Sequence, residues 1–359
     1  MQHVYPVPQP IGRRPNCGQS RKPPMNSVPA ARARRTHSAA SGRGSLIATV
    51  SLIIASMAGI AAVNLYLAKK AEAANPPKGG FVEVNGVRLH YMERGVGDPI
   101  VLLHGNGSMI QDFESSGLID IAAKQYRVIA FDRPGFGHSE RPRNVVWTPV
   151  AQANLLKLAL EKIGVSRAVV LGHSWGASVA VAMAHRYPSF VRGLVLASGY
   201  YYPSVRSDTY TSLPASLPLV GDILSLTISP LFGRLAWPMM MAKMFGPRGV
   251  PEKFRGFPKN LALRPSQLRA ASAEATLMVP GALMERSHYG DLKMPVVIIA
   301  GEQDKLVDID AQSARLHSDI PHSIFHRLPG NGHMIQQTAT EDVMSALREL
   351  TNGLKASAA

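Results

Sequence analysis

Apolar and polar residues alternate at Phe81-Val82-Glu83-Val84 and again at Val87-Arg88-Leu89-His90-Tyr91, about Asn85-Gly86. A period of two around an Asn-Gly pair predicts a β-hairpin. The pattern then changes. Pro99-Ile100-Val101-Leu102-Leu103 and Tyr126-Arg127-Val128-Ile129-Ala130-Phe131 are nearly unbroken apolar runs, as strands covered on both faces require. Further strands are predicted at Arg167–Leu171, Val191–Ala197, Pro295–Ala300 and Ser323–Leu328. Between them the apolar spacing lengthens to three and four residues. Val150, Ala153, Leu156, Leu160 and Ile163 predict a helix over 148–163, and others follow over 175–187, 309–318 and 340–350.

Strands alternating with helices imply an α/β fold, with a mostly parallel sheet covered on both faces. The alternation fails between Gly199 and Asp291, which is rich in Pro, Met and aromatics and shows only short helical patterns. This stretch reads as a cap inserted over one edge of the sheet. The expected organisation is a tail over 1–45, an apolar anchor over 46–68 and a linker over 69–80. A core follows over 81–199 and 291–359, interrupted by a cap over 200–290.

From Leu46 to Leu67 there is no charged residue. At 1.5 Å per residue, 22 helical positions span about 33 Å, enough to cross a bilayer core. A membrane anchor is therefore the leading reading. Alternatives are a secretory signal cleaved near Ala71-Glu72-Ala73 and a mitochondrial-type presequence. Eight Lys/Arg precede the run and two follow it. That bias places the N-terminus in the cytoplasm and the large domain on the periplasmic or extracellular side.

The net charge of +15 changes little in this picture. Ten Lys/Arg and one acid lie within the first 72 residues, giving +9 and leaving +6 for the remainder. The basic tail, rich in Pro, Ser and Gly, reads as disordered. No basic stripe interleaved with aromatics occurs beyond it, so no nucleic-acid partner is expected. A single cysteine, Cys17, excludes an intrachain disulfide and a cysteine metal cluster. No phosphate-binding glycine loop or zinc-spaced histidine pair appears, and no cofactor or metal is expected.

Gly172-His173-Ser174-Trp175-Gly176 lies between a predicted strand and a predicted helix. This is the G-x-S-x-G pattern in the strand–turn–helix context that makes a serine protrude as a nucleophile. A serine hydroxyl needs a base, and the base needs an orienting acid. Gly301-Glu302-Gln303-Asp304 follows a late strand, which makes Asp304 the candidate acid, with Asp308 and Glu302 behind it. Gly330-Asn331-Gly332-His333 follows the last strand, which makes His333 the candidate base. Charge developing on a substrate oxygen needs fixed donors. The amide of Trp175 is one candidate. Asn106, in His104-Gly105-Asn106-Gly107, supplies the other, with Gly107 as the alternative. His104 is expected to brace this loop.

Together these motifs resemble the α/β-hydrolase superfamily, in particular its cap-bearing branch of esterases, C–C bond hydrolases, epoxide hydrolases and haloalkane dehalogenases. The resemblance runs from about Phe81 to the C-terminus and includes the turn Asp132-Arg133-Pro134-Gly135-Phe136-Gly137-His138-Ser139. It implies an eight-stranded-type sheet and a structural, non-catalytic role for that turn. It also implies that epoxide and haloalkane chemistry, which uses an aspartate nucleophile, is closed to a chain with Ser174. The expected activity is hydrolysis of a carboxylic ester through a Ser-His-Asp triad and an acyl-enzyme. C–C hydrolysis or acyl transfer on the same triad is the second reading, and a non-catalytic ligand-binding protein the third. Tyr200, Tyr201, Trp237 and Met240 are expected to line a pocket for a small apolar substrate, within a reservoir that includes Tyr202, Met239, Met241 and Phe245.

Overall fold

A computed structural model describes residues 38–204 and 207–357. The chain divides into two compact units, Met1–Leu52 and Ile53–Ala359. In the second, eight strands form one sheet in the order β1-β2-β4-β3-β5-β6-β7-β8. These are β1 (Gly80–Val84), β2 (Val87–Arg94), β3 (Pro99–Leu103), β4 (Arg127–Phe131), β5 (Ala168–His173), β6 (Val191–Ala197), β7 (Val296–Gly301) and β8 (Ile324–Leu328). β2 runs antiparallel to β1 and β4, and the strands from β4 to β8 are parallel.

Alternation along each central strand divides the core. Val170 and Ile298 enter one apolar layer, while Val169, Leu171, Val297 and Ile299 enter the other. The first layer is covered by α4 (Pro149–Lys162), α5 (Trp175–Arg186) and α11 (Arg315–Asp319). The second is covered by α2 (Ile110–Ser116), α3 (Leu118–Ala122), α12 (Ile335–Thr338) and α13 (Thr340–Ala356). α4 starts where predicted: Thr148 accepts a hydrogen bond from the Ala151 amide at 3.1 Å, and Pro149 fills the first helical position. α2 and α3 had no periodic signal because each is five to seven residues long.

Between β6 and β7 the insertion is helical, with α6 (Ser207–Ser216), α7 (Val220–Leu226), α8 (Ile228–Phe245), α9 (Lys259–Ala262) and α10 (Pro265–Glu285). The N-terminal helix α1 spans Ser38–Ala74. Most of the predicted disordered tail, 1–37, lies outside the described residues; 38–45, assigned to that tail, is helical. The linker expected from residue 69 is helical as far as Ala74. The Lys69–Ala74 segment consists of good helix formers, and the stop comes only at Asn75-Pro76-Pro77, where proline cannot continue the ladder.

Candidate active site

Ser174 sits at φ 53°, ψ −120°, between β5 and α5. A non-glycine residue rarely adopts this left-handed region, and the strain persists only where surroundings enforce it. Here the Ser174 amide donates to the Ala197 carbonyl at 2.9 Å, and its carbonyl accepts from Ala177 at 3.0 Å. The flanking glycines are required by close approach, as expected. A Cβ on Gly172 would lie 2.4 Å from the Gly176 carbonyl oxygen, and one on Gly176 would lie 2.1 Å from that of Leu103.

His333 and Asp304 come from the loops after β8 and β7. Asp304 Oδ2 lies 2.7 Å from His333 Nδ1, and both side chains are buried. Asp304 Oδ1 accepts from the amides of Leu306 (2.7 Å) and Val307 (3.0 Å). Burial opposes ionisation of Asp304. The charge and hydrogen bond of His333, with these two amides, outweigh it and hold the carboxyl below its ordinary range. The runners-up fall away: Asp308 is exposed, its carboxylate accepting from the Ala311 amide, and Glu302 is not part of the pair. In the His333 loop, Gly330 takes φ 70°, and a Cβ on Gly332 would meet the Gly246 carbonyl oxygen at 2.1 Å.

Ser174 and His333 line one cavity of about 90 Å³, with Gly105, Asn106, Gly107 and Asp112 from the β3 side. Its other walls are Trp237, Met240, Met241 and Met244 of α8, with Phe254, Phe257 and Met334. The amides of Asn106 and Trp175 have no acceptor among the described residues. Trp175 opens α5, so its N–H lies at the positive end of the helix dipole.

The structure brings together only some of the residues expected to line the pocket. Trp237 and Met240 line the cavity; Tyr200 and Tyr201 do not. After β6 the chain folds back onto the core, where Gln312 Oε1 accepts from the amides of Tyr201 (2.7 Å) and Tyr202 (2.8 Å). Tyr201 is buried there, and Tyr200 lines a separate small void with Trp175 and Tyr289. Trp175 likewise packs away from the Ser174 cavity.

The sequence reading also missed residues. His104 braces its loop as expected: Nδ1 bonds the Gly105 carbonyl (2.8 Å), and Nε2 accepts from the Arg133 amide (3.0 Å). Arg133 does more than the structural turn implied. Its buried guanidinium donates to the carbonyls of His104 (2.7 Å) and Gly105 (2.9 Å), and pairs with buried Glu274 on α10 at 2.6 Å. Asp112, on α2, accepts from Gln336, Gln337 and Ser108, and burial holds its carboxyl above the ordinary range despite those bonds. The polar pair Gln336-Gln337, close after His333, was the available signal for such a network. Asp132 proves structural: it pairs with buried His90 at 2.6 Å and accepts from the amides of Ile110 and His138.

A mostly parallel sheet carrying a strained serine and a buried histidine–carboxylate pair at its C-terminal edge defines a protein of the hydrolase type. Residues 98–340 match the alpha/beta hydrolase fold family model, and the chain belongs to that family. Several of its relatives bear hydrolase names. It is 26% identical over 281 residues to haloalkane dehalogenase 2 of Mycobacterium tuberculosis, covering 73% of this chain and 91% of that protein. It is 29% identical over 263 residues to a 2-hydroxy-6-oxononadienedioate/2-hydroxy-6-oxononatrienedioate hydrolase of a Pseudomonas species, covering 71% and 88%. Among solved structures, a thermophilic esterase from Thermogutta terrifontis superposes with a TM-score of 0.60 at 21% identity, over 77% of this chain and 99% of that one. A bacterial membrane phospholipase A gives 0.60 at 18% identity, over 87% and 99%.

Proposed function

We propose that the protein is a membrane-anchored serine hydrolase that cleaves carboxylic esters of an apolar substrate. The observation that carries this reading is the buried His333–Asp304 pair at 2.7 Å, with His333 lining the same cavity as a strained Ser174. His333 takes the hydroxyl proton as Ser174 Oγ attacks the ester carbonyl. The amides of Trp175 and Asn106 receive the oxyanion. Collapse of the tetrahedral adduct breaks the C–O bond, and His333 returns its proton to the departing alcohol. Water, deprotonated by His333, then attacks the acyl-enzyme; the acyl–Oγ bond breaks, the acid leaves, and Ser174 Oγ regains its proton from His333. Asp304 holds the imidazole and stabilises its cationic form throughout.

Chemistry separates this reading from dehalogenation. Displacement of halide by serine would leave an ether, which has no carbonyl for water to attack. The cavity walls favour an apolar ester over a dicarboxylate, since no Lys or Arg among the described residues lines it. At about 90 Å³ it has room for roughly three waters. Substrate entry therefore requires α8 and its neighbours to move.

The anchor is α1, whose segment Ser45–Ala74 is long and apolar enough to span a bilayer. The excess of Lys and Arg before this segment favours the periplasmic or extracellular side for the unit that carries Ser174.

The test is labelling of the full chain, in detergent, by a fluorophosphonate. Labelling of wild type but not of Ser174→Ala is expected, with turnover of nitrophenyl esters. A folded, unlabelled wild type overturns the nucleophile. A periplasmic reporter fused after Ala359 should be active; an inactive one reverses the orientation.

A further inference from the structure

The cap carries a second apolar face that the catalytic cavity does not use. α8 turns Trp237 and Met240 towards the cavity. Leu231, Phe232, Leu235 and Met239 on the same helix are 57 to 73% exposed, and Leu219, beside α7, is 76% exposed. Scattered exposed apolar residues are ordinary, but a contiguous set marks an interaction surface.

The segment that forms this face carries little charge of its own. Positions 209 to 242 contain only two charged residues, Asp222 and Arg234. Neither stands alone: Asp222 is held by Arg143 (2.9 Å) and Arg269 (2.6 Å), and Arg234 points to Asn64 Oδ1 at 3.4 Å.

Asn64 fixes the height of the face against α1. Its side-chain amide donates to the carbonyls of Leu226 and Thr227, both at 2.9 Å, so the α7–α8 corner docks on α1 at that level. Asn64 lies five positions before Lys69, about 7.5 Å along the helix. Lys69 and Lys70 are exposed, as residues at headgroup height would be. A face level with Asn64 then sits about 7 Å inside the charged boundary, within the 5–10 Å typical of interfacial helices. The exposed apolar side chains of Ile60 and Val63 continue it along α1.

We propose that the outer face of α7 and α8 is embedded in the lipid bilayer that α1 spans, and that Ser174 receives carboxylic esters dissolved in that bilayer. One helix, α8, thus separates the cavity from the acyl chains. This rests on the reading of α1 as a span and of Ser174 as the nucleophile.

The test uses the full chain carrying Cys17→Ser in phosphatidylcholine–phosphatidylglycerol vesicles. Leu219→Cys, Leu235→Cys and, as a control, Val96→Cys on the core (83% exposed) are each labelled with an environment-sensitive fluorophore. Blue-shifted emission quenched by chain-brominated lipid is expected at 219 and 235, and water-like emission at 96. The Phe232→Glu/Leu235→Glu variant should hydrolyse a long-chain ester dissolved in vesicles at least tenfold more slowly. Its hydrolysis of nitrophenyl butyrate in detergent should stay within twofold of wild type. Water-like emission at 219 and 235 in carbonate-resistant protein overturns the embedded face and leaves the span intact. Efficient 235–235 cross-linking without quenching by brominated lipid overturns it in favour of a second copy. Extraction by carbonate removes the span reading and the proposal together. Absence of fluorophosphonate labelling removes the nucleophile alone, since the depth readout does not depend on it.

Discussion

Arg133→Met tests how far the loop that bears Asn106 depends on the cap. The substitution keeps an unbranched apolar stem and removes a guanidinium that is 0% exposed, as is its partner Glu274. Glu274 would keep only the Gln152 amide at 2.8 Å and Arg141 at 3.8 Å. Removing one partner of a buried pair costs about 3–5 kcal/mol where the remaining charge is left without compensation, and the residual Gln152 and Arg141 contacts put Arg133→Met at the lower end of that range. Replacing both partners by apolar groups of similar volume is often close to neutral. The Arg133→Met/Glu274→Met variant should therefore recover at least ~2 kcal/mol relative to the single variant in urea unfolding. Activity should not recover with it. The guanidinium also holds the His104 and Gly105 carbonyls at 2.7 and 2.9 Å, directly before the Asn106 amide. We expect kcat on a nitrophenyl ester to fall about tenfold in the double variant, a barrier increase of ~1.4 kcal/mol. A double variant no more stable than Arg133→Met refutes the pairing argument. One with wild-type kcat refutes the role assigned to the loop.

Asp304→Asn should leave the fold intact and lower kcat by about 10⁴, because the amide favours the wrong imidazole tautomer; stopped assays on purified protein check this. Gly176→Ala places a Cβ 2.1 Å from a backbone oxygen that cannot rotate away, and should cost at least ~1–3 kcal/mol in denaturant unfolding. His173 supplies a pH test. Burial, and then the nearby His333 charge, lower its pKa from 6.5 to about 3. The unfolded chain therefore binds one more proton between those values, so stability is present above pH 6.5 and lost as pH falls towards 3. Between about pH 5 and 4, His173→Gln should reduce the slope of unfolding free energy against pH by ~1.4 kcal/mol per unit. An unchanged slope sinks the assignment.

Much of this was legible because it is local. β6 begins and ends at the predicted residues, α4 lies within one residue of prediction at each end, and β5 starts one residue and ends two residues later than predicted. A two-sided buried strand and a Thr-Pro helix start each follow from consecutive side chains. Ser174, His333 and Asp304 were legible for a related reason: each sits on a glycine-marked turn directly after a strand. The pocket was harder to read. Tyr200 and Trp237 look alike in sequence, both large aromatics in a Pro- and Met-rich insertion. What divides them is Gln312, 111 positions beyond Tyr201, whose carbonyl captures two amides and turns the tyrosines inward to the core. Arg133 and Glu274 are 141 residues apart and meet only once the cap is folded.

The same long-range contacts constrain how the site opens. The C-terminal end of α8 does not merely rest on the cavity: the His333 amide donates to the Met244 carbonyl at 3.1 Å, and a Cβ on Gly332 would strike the Gly246 carbonyl. Lifting that end would displace the imidazole from Asp304. Glu274 likewise ties α10 to the loop bearing Asn106. The C-terminal end of α8 and α10 are thus fastened to the loops that carry His333 and Asn106. α7 and the first turns of α8 are fastened to α1 through Asn64. Opening that keeps the base in place must come from the part of α8 around Trp237 and Met240. Pro238 lies within that part and leaves the helix one backbone hydrogen bond short.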